Sequence, residues 1–147
     1  MRTLFAMPIM LLLAAGCEAG AVDATPERAV AAFIERMESV HGDSDKGRAA
    51  LLLLSQKGRT NLEQRAERAS AAAGRKLGAE EMLTPSRFEM NFHPKAYRSE
   101  ISGEYARVFI SGESPGEQAE AHCVRENGNW RVIVDFPELP TIRHRGD

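Results

Sequence analysis

Two cysteines carry the most reactive side chains of this 147-residue chain, and their neighbours assign them different chemistry. Cys123 stands beside His122 within residues 118–125, a stretch that reads as a strand. Adjacent strand residues point to opposite faces, so the imidazole cannot act as a local base for the thiol. Cys123 instead shares parity with Ala119 and Ala121, a small apolar row that reads as core, where a cysteine is inert packing. The four histidines, His41, His93, His122 and His144, have no close metal-ligand spacing. No zinc site is expected from them, and no cofactor is implied.

Cys17 has a different setting. Met1-Arg2 supplies a positive start, and residues 4–13 form an apolar stretch containing Phe5, Met7, Ile9 and Leu11. That is the architecture of a secretory signal. A bilayer-spanning helix takes about 20 apolar residues, and Glu18 follows too soon, so residues 1–16 are expected to be removed. Leu13-Ala14-Ala15-Gly16-Cys17 then resembles the lipobox of bacterial lipoprotein precursors, in which small residues precede a cysteine that receives diacylglycerol before cleavage and is commonly acylated afterwards. Ala14 departs from the larger aliphatic residue favoured at its place. The resemblance implies lipidation of Cys17, a membrane-lipid partner and a place in the bacterial cell envelope. Glu18, where some bacteria use aspartate for inner-membrane retention, leaves delivery to the outer membrane open. Each buried methylene contributes about 0.8 kcal/mol, and two or more acyl chains anchor stably. The alternative is an ordinary cleavable signal and a secreted product, in which Cys17 and Cys123 become conceivable disulfide partners.

Removal of residues 1–16 leaves 147 − 16 = 131 residues, enough for one domain with a single core. Arg2 is the only charged residue lost, so 18 basic side chains face 21 acidic ones, a net of −3. No positive field recommends nucleic acid as a partner.

Residues 17–24 are small, polar and unpatterned, and read as a tether. Order is expected from Thr25, where Thr25-Pro26-Glu27 supplies an N-cap, a proline at the first helical position and an early acid. Val30, Phe33, Ile34, Met37 and Val40 then follow helical spacing up to His41-Gly42. Asp43-Ser44-Asp45 caps a second helix running through residues 49–54, and Ser55 caps a third. The third carries Leu62, Ala66, Ala69, Ala73 and Leu77 as a narrow apolar stripe among solvated charges. Residues 79–83 add one further turn.

The period then becomes twofold. Phe88, Met90 and Phe92 alternate with polar residues as in a half-buried strand, and residues 97–101, 104–111, 118–125 and 129–136 supply further strands. Asn127-Gly128 is the strongest hairpin signal in the chain. Helices first and an antiparallel sheet second give an α+β class, with the helices packed on one face of a curved sheet. Residues 25–136 form the single domain, and the proline-interrupted residues 137–147 an irregular tail. The terminal Arg145-Gly146-Asp147 matches an adhesion tripeptide by chance.

The order of Thr25-Pro26-Glu27-Arg28-Ala29-Val30 with Phe33, the leucines of 51–54 with Ser55, and the closing Gly128-Asn129-Trp130-Arg131-Val132 resembles the nuclear-transport-factor-2-like superfamily, especially its small bacterial lipoproteins. The resemblance implies a cone, its sheet curled around the first helix, whose mouth serves small molecules, catalysis or dimer contacts. Enzymes of that fold place a carboxylate and a tyrosine or second acid inside the cone. Asp135, Tyr97, Tyr105 and His122 are the residues of suitable type here. Asp135 lies on the parity opposite Trp130, Val132 and Val134, which places it outside if the tryptophan faces the core. No catalytic residue is therefore assigned. Tyr97, Tyr105 and Trp130 are the candidate ligand contacts, with core packing the favoured reading of Trp130. The expectation is a membrane-anchored domain that binds a small molecule or an envelope protein, with a homodimer among the contacts the resemblance implies. The alternative is a cone-cavity enzyme of isomerase or dehydratase type.

Overall fold

The computed structural model describes residues 21–85 and 88–139. Three helices precede a four-stranded antiparallel sheet, as the change of period predicts. Helix α1, Pro26–Ser39, starts where Thr25 Oγ1 accepts from the Arg28 N–H at 3.3 Å and Pro26 occupies the first turn, where the N–H that proline lacks would have no intrahelical acceptor. It buries Ala29, Val30, Phe33 and Met37, one side of the helix. Helix α2, Ser44–Leu51, is capped by Asp43, whose carboxylate accepts from the N–H groups of Asp45 and Lys46. Helix α3, Gln56–Ala73, starts at Ser55 and ends at Gly74, whose φ of 66° is the left-handed conformation that closes a helix at little cost for glycine. Its expected stripe is buried only at Leu62 and Ala66; Ala73 is exposed. A short 3-10 helix, Ala79–Met82, follows.

Strands β1 (Ala96–Ser102), β2 (Tyr105–Ser111), β3 (Gln118–Glu126) and β4 (Asn129–Ile133) form a meander in the order β1-β2-β3-β4. Asn127 and Gly128 hold φ of 52° and 82° between β3 and β4. Positive φ at both central residues matches the twist of the flanking strands, so the Asn-Gly signal is realised. Register pairs Ala106 with Cys123 and Cys123 with Val132, which puts all three on one face. That face, with Val108, Ile110 and Trp130, packs against α1 and the leucines after α2. Helix α1 contacts all four strands.

Three segments differ from the sequence expectation. Residues 88–93 form no strand. Their apolar side chains still turn inward, with the Phe88 ring edge-on to Phe33 at 5.3 Å between centroids, so alternation here records burial without a ladder. Pro94, which has no N–H to donate, separates the segment from β1. The second helix stops at Leu51, short of Leu54. Leu53 and Ser55 instead pair with β4: the Val132 N–H donates to the Leu53 carbonyl at 2.7 Å, and the Ser55 N–H to the Val132 carbonyl at 2.9 Å. This covers one sheet edge and buries Leu53 and Leu54 while leaving Leu52 exposed. Strand β4 ends at Ile133, three residues before Phe136.

Contacts also begin before Thr25. The Asp23 carbonyl accepts from the Trp130 N–H at 2.9 Å, and its carboxylate pairs with Arg131, both side chains being largely buried. Asp23 was expected in the tether because its neighbours are small and unpatterned; this backbone hydrogen bond and ion pair together hold it on β4.

The opposite edge is partly occupied too. Glu27 Oε1 accepts from the Ser99 backbone N–H at 3.0 Å and from the Ser99 hydroxyl. Burial pushes the Glu27 carboxyl up, but these hydrogen bonds outweigh it and hold the group below its ordinary value.

Glu126 joins sheet to helix. Both of its carboxylate oxygens accept from the Gln56 N–H, at 2.9 and 3.1 Å, and one lies 3.5 Å from Arg59 Nη2. A carboxylate at this position satisfies an otherwise unpaired first-turn donor and favours the helix dipole. Glu126→Ala is expected to lower stability by about 1–2 kcal/mol in urea unfolding, with Glu126→Gln losing less.

Candidate functional site

A pocket of about 330 Å³ opens between α1 and the core-facing side of the sheet. Helix α1 supplies Phe33 and Ile34 to one wall, the loop before β1 supplies Phe88 and Met90, and the floor holds Ala119, Ala121 and Val134. Its cause lies in side-chain size. Ala121 pairs with Val108, and Ala119 with Ile110, so each β3 residue here is smaller than its β2 partner. Two alanines beneath Phe33 and Ile34 leave space that larger residues would fill. The rows that face α1 at this point contribute apolar side chains, while Glu120, His122 and Asp135 border the pocket from positions whose parity directs them to the other face. The volume lies at the lower end of the roughly 300–1,000 Å³ typical of small-molecule sites, and an apolar lining is their usual character.

The sequence-selected residues do not converge there. Trp130 is 5% exposed and belongs to the core, its ring 5.9 Å from the Arg125 guanidinium carbon. Tyr97 is half-buried on the α1 side of β1. Burial, with Glu38 and Glu35 adding to it, raises the Tyr97 hydroxyl above its ordinary pKa. Tyr105 is 62% exposed and sits on the opposite sheet face. The three therefore divide between core, α1 side and outer face.

Asp135 is exposed. It borders an open groove of about 660 Å³ on the outer sheet face, together with Tyr105, Arg107 and His122. His122 Nε2 lies 3.3 Å from Glu120 Oε1, and Arg107 pairs with Glu100 at 2.9 Å. Arg98 and Arg107 both approach the Phe109 ring, at 4.6 and 5.2 Å. This face is a ladder of mutually satisfied charges in water. Isomerase chemistry of the kind considered above uses a carboxylate and a donor inside an apolar cavity; here Asp135, Tyr105 and His122 border an open groove, and Tyr97 lies on the other face of the sheet.

No family model, curated protein or solved structure matches this chain. Cys123 is fully buried and free, with its thiol pushed up to about 12 by burial and, secondarily, by Glu27. It is core packing, as its parity predicts. Among the described residues, no group of three or more His, Cys, Asp or Glu side chains is placed to hold a metal ion. No helix among them is long and apolar enough to cross a membrane. Cys17, His144 and the adhesion-like tripeptide lie outside the described residues.

Sequence reasoning named most of the pocket residues individually, as helix stripe, strand alternation or small row, without joining them. The usable signal was the small size of Ala119 and Ala121, which the register sets opposite the branched Ile110 and Val108. A second cavity was missed altogether. It lies between α3 and the segment after β4, where Arg65 and Arg68 stand beside Leu62, Met82 and Phe136.

Proposed function

We propose that this protein is a bacterial envelope lipoprotein, anchored through Cys17, whose domain binds a small apolar molecule beneath α1. The observation that carries the binding reading is the pocket of about 330 Å³ lined by Phe33, Ile34, Phe88, Met90 and the two strand alanines. Helix α1 laid against all four strands, with helices before sheet, supports assignment to the nuclear-transport-factor-2-like cone, whose mouth this pocket would be. The anchor rests on the signal-like residues 1–16 and the small residues before Cys17.

Both halves are testable on the full chain. Intact mass of the membrane-fraction protein should show loss of residues 1–16 and a diacylglyceryl cysteine with its acyl group, and Cys17→Ala should abolish membrane retention. An unmodified Cys17 defeats the anchor. For binding, indole titrated into the protein in phospholipid nanodiscs should give a saturable shift of the Met90 methyl resonance. Ala121→Leu, which fills the floor, should remove it without lowering the melting temperature. Absence of saturation, or a shift that survives Ala121→Leu, defeats the pocket.

A further inference from the structure

We propose that the cavity between α3 and the segment following β4 is a second binding site, for a small organic anion with an apolar body, such as an aryl or short-chain carboxylate. Its volume is about 290 Å³, and its lining sets two arginines beside an apolar floor. Leu62, Met82, Phe88 and Phe136 form an apolar floor, with Leu62 fully buried. Arg65 and Arg68 stand on the same wall because residues three apart share one side of a helix.

Arg65 is held in place by groups that leave its charge intact. Its Nε donates to Asn61 Oδ1 at 2.7 Å, and its Nη2 donates to the Pro137 carbonyl. Both acceptors are neutral. The other arginines of the described ion pairs, such as Arg48, Arg59, Arg107 and Arg131, are matched to carboxylates. With no carboxylate paired to it among the described residues, a guanidinium fixed by a side-chain amide and a main-chain carbonyl has lost rotamer freedom while keeping its charge, which is the preparation an incoming carboxylate benefits from. The carboxylate would meet the charge at Arg65, and its ring or chain would lie on Met82, Phe88 and Phe136. A bare inorganic anion would leave that floor wet, and a neutral aromatic would leave the guanidinium without its charge-assisted partner.

The site is independent of the pocket beneath α1. The two share only Phe88, and each contains one methionine that the other lacks: Met82 here, Met90 there. Methyl resonances therefore report on them separately. The test titrates the full chain in phospholipid nanodiscs, at pH 7, with benzoate, its neutral isostere benzamide, and inorganic phosphate. The expected result is a saturable Met82 shift with benzoate, and affinities weaker by about tenfold or more for benzamide and phosphate. Arg65→Gln should weaken benzoate by a similar factor while the Met90 signal stays in place. If that variant loses its native methyl spectrum, the benzoate-to-benzamide ratio on the unaltered protein decides. Equal affinity for benzoate and benzamide overturns the proposal, as does a benzoate shift confined to Met90 or the absence of saturation. A Met90 shift with indole alongside any of these outcomes leaves the pocket beneath α1 standing while this site falls.

Discussion

Truncating Trp130 to alanine is expected to lower the free energy of unfolding by about 3–5 kcal/mol, a large fraction of the 5–15 kcal/mol typical of a domain. Trp130 is 5% exposed and stands second in β4, one residue beyond the Asn127-Gly128 turn and opposite Arg125. Its removal leaves a cavity that the backbone cannot close. The Trp130 N–H is held by the Asp23 carbonyl on one side, and β4 by its ladder to β3 on the other. Trp130→Phe should recover part of the loss by refilling the space with an aromatic body. Because this is the only tryptophan in the chain, far-UV circular dichroism in urea is the measurement of choice. A loss below about 1 kcal/mol for the alanine variant would contradict the core assignment.

A second large effect is expected at alkaline pH. With the Cys123 thiol pushed up to about 12 in the folded state, the native protein keeps its proton where the unfolded chain, titrating near 9, gives it up. The native state then binds more protons than the unfolded one, so stability falls as pH rises. The fall begins near pH 9 and is complete near pH 12, and at about 1.4 kcal/mol per unit of separation it amounts to roughly 4 kcal/mol. Below pH 8 the thiol contributes nothing to the pH dependence. Cys123→Val removes the titrating group while keeping an apolar side chain of similar size. Urea midpoints taken from pH 7 to 11 should therefore diverge above pH 9, with the wild type falling faster. Parallel curves would show that the thiol is more accessible than its burial indicates.

The sequence spoke most clearly where one local rule decides one local structure. Thr25-Pro26 opens α1, Asp43 opens α2, and Asn127-Gly128 turns the last hairpin, because caps and turns are settled by a few neighbouring atoms. Parity along β3 and β4 was equally legible: Cys123, Trp130 and Val132 are inside and Asp135 is outside. Pairing was not legible. The leucines after α2 continue a helical apolar pattern, yet Leu53 and Ser55 bond to a strand some 80 residues further along the chain. Phe88, Met90 and Phe92 alternate as a strand would, yet have no ladder. Periodicity reports which side chains leave water, and is silent on what receives them. The same gap explains the ligand residues. Tyr97 and Tyr105 have the right chemistry, but the face that each occupies depends on the β1–β2 register, and they fall on opposite sides. The apolar pocket arises from a shortage of side-chain volume, which shows only once Ala119 and Ala121 are set beneath α1.

The Asp23 clamp on β4 also sets the length of a leash. With Cys17 lipidated as proposed, six peptide units separate the acylated residue from Asp23, and even fully extended they reach only about 20 Å. The Asp23 carbonyl and carboxylate fasten the far end of that leash to Trp130 and Arg131. Arg131→Ala would remove the carboxylate half of the fastening and leave Asp23 held by its carbonyl alone. In a lipidated protein with both contacts intact, the β4 margin of the sheet would stay within one short stride of the lipid head groups. Whatever docks with that form would meet it in the crowded layer next to the bilayer.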